Sequence, residues 1–262
     1  MKFFIFIFTL MLFACGKFLH NTELEDNDAS VDITIENTND ANIESDVLDS
    51  SIDTTLKTKF VFEKSNKSIS FFDDFERPDN SSIGNGWIEK TDVFSIINGG
   101  VTLDTQGGPV DRIVRRTSGL LDTEISGRIT IISPYNEISL FSRMQPDELG
   151  NLVGYRVWFA ITKMQIELRI KTGNGTALYE LGQIPIYPSL NVGSSYDFHM
   201  RTTGSDLVNI EAGIFDVDGK MIQSIQGKDV SAYRILTPGL IGFGQREANG
   251  NRWESFSMVE LP

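Results

Sequence analysis

Beyond residue 70 the chain alternates apolar and polar positions with a period of two. The clearest runs are 126–132, 137–144, 155–161, 164–170, 196–200 and 208–215. Alternation of this kind sends successive side chains to opposite faces of a sheet. Turn signals separate the runs: Asn98-Gly99-Gly100, Gln106 to Pro109, Thr172 to Gly175, Thr203 to Asp206 and Asn249 to Asn251. Asp216-Val217-Asp218-Gly219, flanked by apolar stretches, predicts a hairpin turn, because Asp-Gly accepts positive φ readily. No amphipathic helix of three or more turns is apparent. About a dozen strands without helices predict an all-β, two-sheet antiparallel sandwich.

The first 66 residues follow other patterns. Lys2 precedes an apolar run from Phe3 to Ala14 that only Thr9 interrupts. A membrane-spanning helix needs about 20 apolar residues, so this run is too short to be one. A basic start, a short apolar stretch and a small residue at its end make a secretory signal. Leu12-Phe13-Ala14-Cys15 closes it, and Cys15 is the only cysteine. That ending resembles the bacterial lipobox. The resemblance implies cleavage before Cys15, diacylation of its thiol and a lipid anchor in a bacterial cell envelope, on the outer membrane where the cell has one. An ordinary secretory signal with an incidental cysteine is the competing reading. A single cysteine allows no intramolecular disulfide, so stability must come from an apolar core.

Residues 15–66 are expected to form a disordered tether between the signal (1–14) and a folded domain (67–262). From Asn21 to Lys59 there is no aromatic residue, and eleven acids face only Lys57 and Lys59. Too little apolar surface is present to offset the entropy of ordering. Like charges should extend the segment. The alternation in Val31 to Ile35 leaves a transient strand as the alternative. This stretch carries most of the net charge of −13. No basic surface for nucleic acid is evident, and attachment to an anionic membrane would have to come from the acyl chains.

Two segments carry a further likeness. Phe72-Asp73-Asp74-Phe75-Glu76-Arg77-Pro78-Asp79, followed by Ile83 to Trp87, resembles the opening of bacterial concanavalin A-like (laminin G-like) jelly rolls. Gly239 to Gly244 and then Trp253 to Ser257 are similar to the last strands of those domains. The resemblance implies that the first and last strands lie side by side, so Phe72, Phe75, Trp87, Trp253 and Phe256 should form a shared aromatic cluster. It also implies a structural Ca²⁺ held between those strands, with Asp73, Asp74 and Glu254 as its ligands. Strand and turn capping by these acids is the alternative. The same fold serves lectins, glycanases and adhesion modules, so it does not by itself give a function.

Candidate chemistry is sparse. Retaining or inverting glycoside hydrolysis needs two carboxylates flanking a bond, and the Glu-x-Asp-x-Glu run usual in hydrolases of this fold is absent. His199 is the one histidine beyond His20. It shares a strand face with Asp197 and Arg201, with no Gly-x-Ser-x-Gly elbow, and reads as a solvated strand residue. Parity offers a sugar-binding face instead. Arg143, Arg156, Trp158, Glu167 and His199 all oppose the apolar set of their strands; if those strands form the concave sheet they would line one groove suited to an anionic glycan, and a solvated outer sheet of mixed charges is the alternative. The expected function is a tethered glycan-binding or adhesion module without catalysis. A protein-binding or structural envelope lipoprotein is the alternative, and a glycoside hydrolase the less favoured one.

Overall fold

The computed structural model describes residues 60–89, 94–103, 112–117, 119–134, 137–146, 152–172, 175–246 and 251–262. The chain divides into two units, Met1–Thr55 and Leu56–Pro262, and the first lies outside the described residues. The expected signal, the expected lipidation site Cys15 and most of the expected tether fall there.

The described residues build two antiparallel sheets. The first sheet contains β1 (Ile69–Asp73), β3 (Phe94–Ile96), β4 (Val101–Leu103), β6 (Thr123–Ile131), β11 (Ser195–Thr203), β12 (Val208–Asp216), β13 (Met221–Asp229) and β15 (Asn251–Glu260). Its order is β13-β12-β11-β6-β15-β4-β3, with β1 also pairing β15. The second contains β2 (Ile88–Glu89), β5 (Arg112–Thr117), β7 (Ile138–Pro146), β8 (Leu152–Ala160), β9 (Lys163–Thr172), β10 (Gly175–Pro185) and β14 (Leu240–Gln245). Its order is β10-β9-β8-β7-β14-β5-β2.

The alternation seen in the sequence fills the space between the sheets. Tyr155, Val157 and Phe159 of β8 and Met164, Ile166 and Leu168 of β9 meet Ile125 and Ile129 of β6, Phe198 and Met200 of β11, and Ile210 and Ile214 of β12 in one buried core. Asp216 closes the β12–β13 hairpin as its sequence predicts. Its Oδ1 accepts the N–H of Asp218 and of Lys220, and Gly219 takes φ of 81°.

The first and last strands do lie together, β1 against β15. The aromatic cluster beside them contains Phe75, Trp87, Phe243, Trp253 and Phe256, with ring centroids such as Trp87–Phe243 at 5.1 Å and Phe243–Trp253 at 4.4 Å. Phe71 joins it through Trp87. Phe72 does not: it is 54% exposed, because the strand's alternation turns Phe71 inward and Phe72 out. The folded unit also begins before residue 67. Phe62 is buried against the outer face of the first sheet, so residues 60–66 run across that sheet as a strap.

Candidate functional site

Three of the five residues expected to line a groove come together on the outer face of the second sheet. Core-facing Tyr155 and Val157 on β8, and Ile166 and Leu168 on β9, oblige Arg156, Trp158, Gln165 and Glu167 to face outward. Register places Arg156 opposite Glu167 and Trp158 opposite Gln165. On the other side of β8, Phe141 and Ser139 of β7 stand opposite Arg156 and Trp158. Gly242 and Gly244 of β14 follow next in those rows, so the face continues there without side chains.

These side chains hold one another. The Trp158 indole N–H donates to Glu167 Oε1 at 2.9 Å, and the Gln165 amide donates to the same oxygen at 3.0 Å. Arg156 donates through Nε to Ser139 Oγ at 2.9 Å, and one of its terminal nitrogens lies 3.6 Å from Glu167 Oε2. Its guanidinium carbon stands 5.9 Å from the Phe141 ring centroid. Glu167 Oε2 is buried and has no hydrogen-bond partner. The Lys163 ammonium sits 4.5 Å over the half-buried Trp158 ring and donates to Gln183. The arrangement packs a carboxylate and a guanidinium, both buried, beside a half-buried indole on one sheet face.

Arg143 is not part of this face. Between Ser142 and Gln145 the β7–β8 register shifts, and Arg143 adopts φ of 47°. This bulge breaks the parity that would have sent the side chain outward. The buried guanidinium donates instead to the carbonyls of Leu121, Ile235 and Gly204 and to Asp122 Oδ1. Arg143 ties three loops together.

His199 is elsewhere too, on the first sheet, and it is not solvated. Phe62 of the strap lies 5.7 Å from its ring and Phe215 lies 5.1 Å away. Its Nδ1 faces Glu124 Oε1 at 3.4 Å without forming a hydrogen bond. Burial pushes the imidazole pKa below its ordinary value, and nearby Lys64 adds to the effect, against the opposing pull of Glu124 and Asp197. Burial also pushes the Glu124 carboxyl up, but contacts with His199 and Arg201 outweigh it and hold Glu124 below the usual range.

The expected calcium ligands do not converge. Both oxygens of Asp73 are taken by N–H donors: Phe75 backbone N–H and Arg77 on Oδ1, with Arg77, Asn85 and the Trp87 indole on Oδ2. Asp74 Oδ1 accepts the backbone N–H of Glu76 at the surface. Glu254 Oε1 accepts the hydroxyls of Thr130 and Ser195 on the first sheet. Among the described residues no group of three or more His, Cys, Asp or Glu side chains is placed to hold a metal. Asp73, Asp74 and Glu254 act as caps and anchors, and they do not fit a shared cation.

No protein-family model and no curated protein matches the chain. Solved structures do. A Bacillus subtilis protein of unknown function with a galectin-like fold aligns with a TM-score of 0.53 at 13% identity, over 74% of this chain and 96% of that one. The fold is a galectin-like jelly roll. A Bacillus licheniformis β-glucanase aligns at 0.46 and 12% identity over 74% of this chain and 99% of its own. The VIP36 exoplasmic/lumenal domain, in a form bound to Ca²⁺ and mannose, aligns at 0.46 and 11% over 67% and 83%.

Sequence parity found Arg156, Trp158 and Glu167. It missed Ser139, Phe141, Lys163 and Gln165, which complete the face. Alternation on β9 already sends Lys163 and Gln165 outward with Glu167, but who stands opposite whom, as Ser139 and Phe141 do beside β8, comes from strand register and is not written in one strand's alternation.

Proposed function

We propose that the domain binds glycan without catalysis, through the outer face of the second sheet, as the head of a lipid-anchored envelope protein. The observation that carries this reading is Glu167 Oε2, a buried carboxylate oxygen with no hydrogen-bond partner, 3.6 Å from an Arg156 nitrogen, while the other oxygen of the same carboxylate accepts the Trp158 indole. A buried acceptor without a hydrogen bond costs about 1–3 kcal/mol, an Arg156 nitrogen 3.6 Å away offsets part of it, and a sugar hydroxyl that reached this oxygen would supply the hydrogen bond. Arg156, 3.6 Å from that oxygen and 4.0 Å from Glu137, adds the positive charge that favours an anionic sugar. Lys163 occupies the place over the Trp158 ring that a pyranose face would take, and it is a long side chain on a strand end that can swing aside. Residues preset by their own hydrogen bonds lose little freedom on binding.

Anchoring by a diacylated Cys15 in a bacterial envelope, with the acidic segment before residue 60 as spacer, rests on the sequence pattern. It is tested by metabolic labelling with a palmitate analogue, in which Cys15→Ser should abolish both label and membrane fractionation. Glycan binding is tested by affinity electrophoresis in gels containing candidate polysaccharides. The wild type should be retarded by at least one of them, and Glu167→Gln, which keeps shape and removes charge, should migrate freely. Equal retardation of both proteins would place any binding elsewhere.

A second reading is hydrolysis, since register sets Glu180 opposite Glu167 and so pairs two carboxylates across β9 and β10. Release of reducing ends that disappears with either Glu167→Gln or Glu180→Gln would replace binding by turnover.

A further inference from the structure

The outer face of the first sheet holds its one histidine under the strap. Phe62 packs over Gly213, where a side-chain methyl would meet the Phe62 Cβ and ring at 3.0 Å, so the glycine leaves the socket in which the ring sits. The strap is fastened by polar contacts on both sides of that ring. The Ser224 hydroxyl donates to the Phe60 carbonyl at 2.6 Å, Arg201 donates to the Glu63 carbonyl, and the Ser65 N–H donates to Glu124 Oε2 at 3.0 Å. Beyond the ring a groove of about 350 Å³ opens between the strap and β15, lined by Lys64, Lys67, Glu124, Ser126, His199 and Ser257 among others.

Around His199 three acids are paired with three bases, and Lys67 of the groove adds a further positive charge, so a charged imidazole would add to an excess of positive charge. Glu124 of β6, Asp197 of β11 and Glu211 of β12 are the acids. Lys64 of the strap, Arg128 of β6 and Arg201 of β11 are the bases that pair with them. From β15 the groove receives Ser257, and from β12 the ring meets only Phe215 and Gly213. Glu124 compensates an imidazolium only in part: its Oε1 lies 3.4 Å from Nδ1, while Arg201 and the Ser65 N–H already occupy its Oε2. An imidazolium between two phenyl rings would therefore share one carboxylate already paired with Arg201, and burial of such a charge is costly.

We propose that residues 60–66 are an acid-released latch: protonation of His199 favours lifting of Phe62 and detachment of the strap. The sign follows from linkage. With the strap lifted, His199 meets water and regains a pKa near its ordinary value of about 6.5. Held below that value when closed, it binds more protons in the open state, so the closed state loses stability as pH falls through about 6.5 toward the closed-state pKa. At pH 5 the open fraction can rise by at most roughly 30-fold over neutral pH from this one group. Release would free residues 60–66 from the sheet and uncover Glu124, Ser126 and His199. This inference does not depend on the glycan site.

The test is hydrogen exchange on the full chain, followed on peptides covering 60–66 at pH 5 and 7.5 and corrected for the chemical pH dependence of exchange. The wild-type strap should lose protection at pH 5, by several-fold and up to that limit, while β8 and β9 do not change. His199→Gln, which stays neutral, should keep the strap protected at both pH values. Equal loss of strap protection at pH 5 in wild type and His199→Gln would overturn the proposal, as would no loss in the wild type. Should His199→Gln fail to fold, the His199 pKa measured by NMR in Phe62→Ala decides. It should rise toward 6.5, and an unchanged value would refute the latch.

Discussion

Asp73 shows how much one side chain can hold in a chain without disulfides. Its two oxygens accept five hydrogen bonds that fix the turn after β1, the Arg77 side chain, Asn85 and the Trp87 indole. Asp73→Ala leaves those donors unpaired and should cost about 3 kcal/mol, read from urea unfolding. Burial pushes this carboxyl up, yet the Arg77, Asn85, Trp87 and Phe75 donors together hold it below its ordinary 3.8. Its contribution is thus full above the unfolded value and is lost as pH falls through the lower, folded one. The acid limb of the stability profile should be shallower in Asp73→Asn than in the wild type. Arg143 makes the opposite point about roles. Arg143→Lys keeps the charge but loses the planar fork that reaches four acceptors. The melting temperature should drop while glycan affinity stays within twofold. A large loss of affinity at an unchanged melting temperature would return Arg143 to the binding face.

At the level of elements, alternation alone located six of the long strands, because a strand with one face in a core must repeat every two residues. It failed where a backbone irregularity resets the count. The bulge in β7 turns Arg143 inward, and nothing in Ser142-Arg143-Met144 announces a positive φ. It also failed for the short strands β2 to β4, which span two or three residues and carry no period. Burial of His199 escapes alternation for another reason: its cover comes from Phe62, far away in sequence and on a segment whose composition is that of a tether. Gly127 illustrates packing that only the fold reveals. It faces the core opposite Phe198 and Phe256, and a methyl there would lie 2.5 Å from the Trp253 ring. Gly127→Ala should therefore destabilise the domain by about 1–3 kcal/mol through overpacking, visible as a lower midpoint in thermal denaturation. An unchanged midpoint would mean that Trp253 can move, against its full burial.

For the whole molecule, the two faces of the sandwich divide the work. The inner faces supply the cohesion, the first sheet's outer face carries the strap, and the second sheet's outer face carries the preset polar row. Calcium has no part in that division through Asp73, Asp74 and Glu254, so chelation should leave the melting temperature unchanged. A drop on chelation would reveal a cation held by other oxygens. The central claim is that Arg156, Trp158 and Glu167 form a glycan site. The most direct measurement is a glycan-array screen of the full chain beside its Trp158→Ala variant, with both shown to be folded. Saturable wild-type binding that weakens tenfold or more in the variant, about 1.4 kcal/mol, is the expected result. Binding that survives Trp158→Ala unchanged, or no binding by the folded wild type to any glycan, would contradict the account and favour a protein partner.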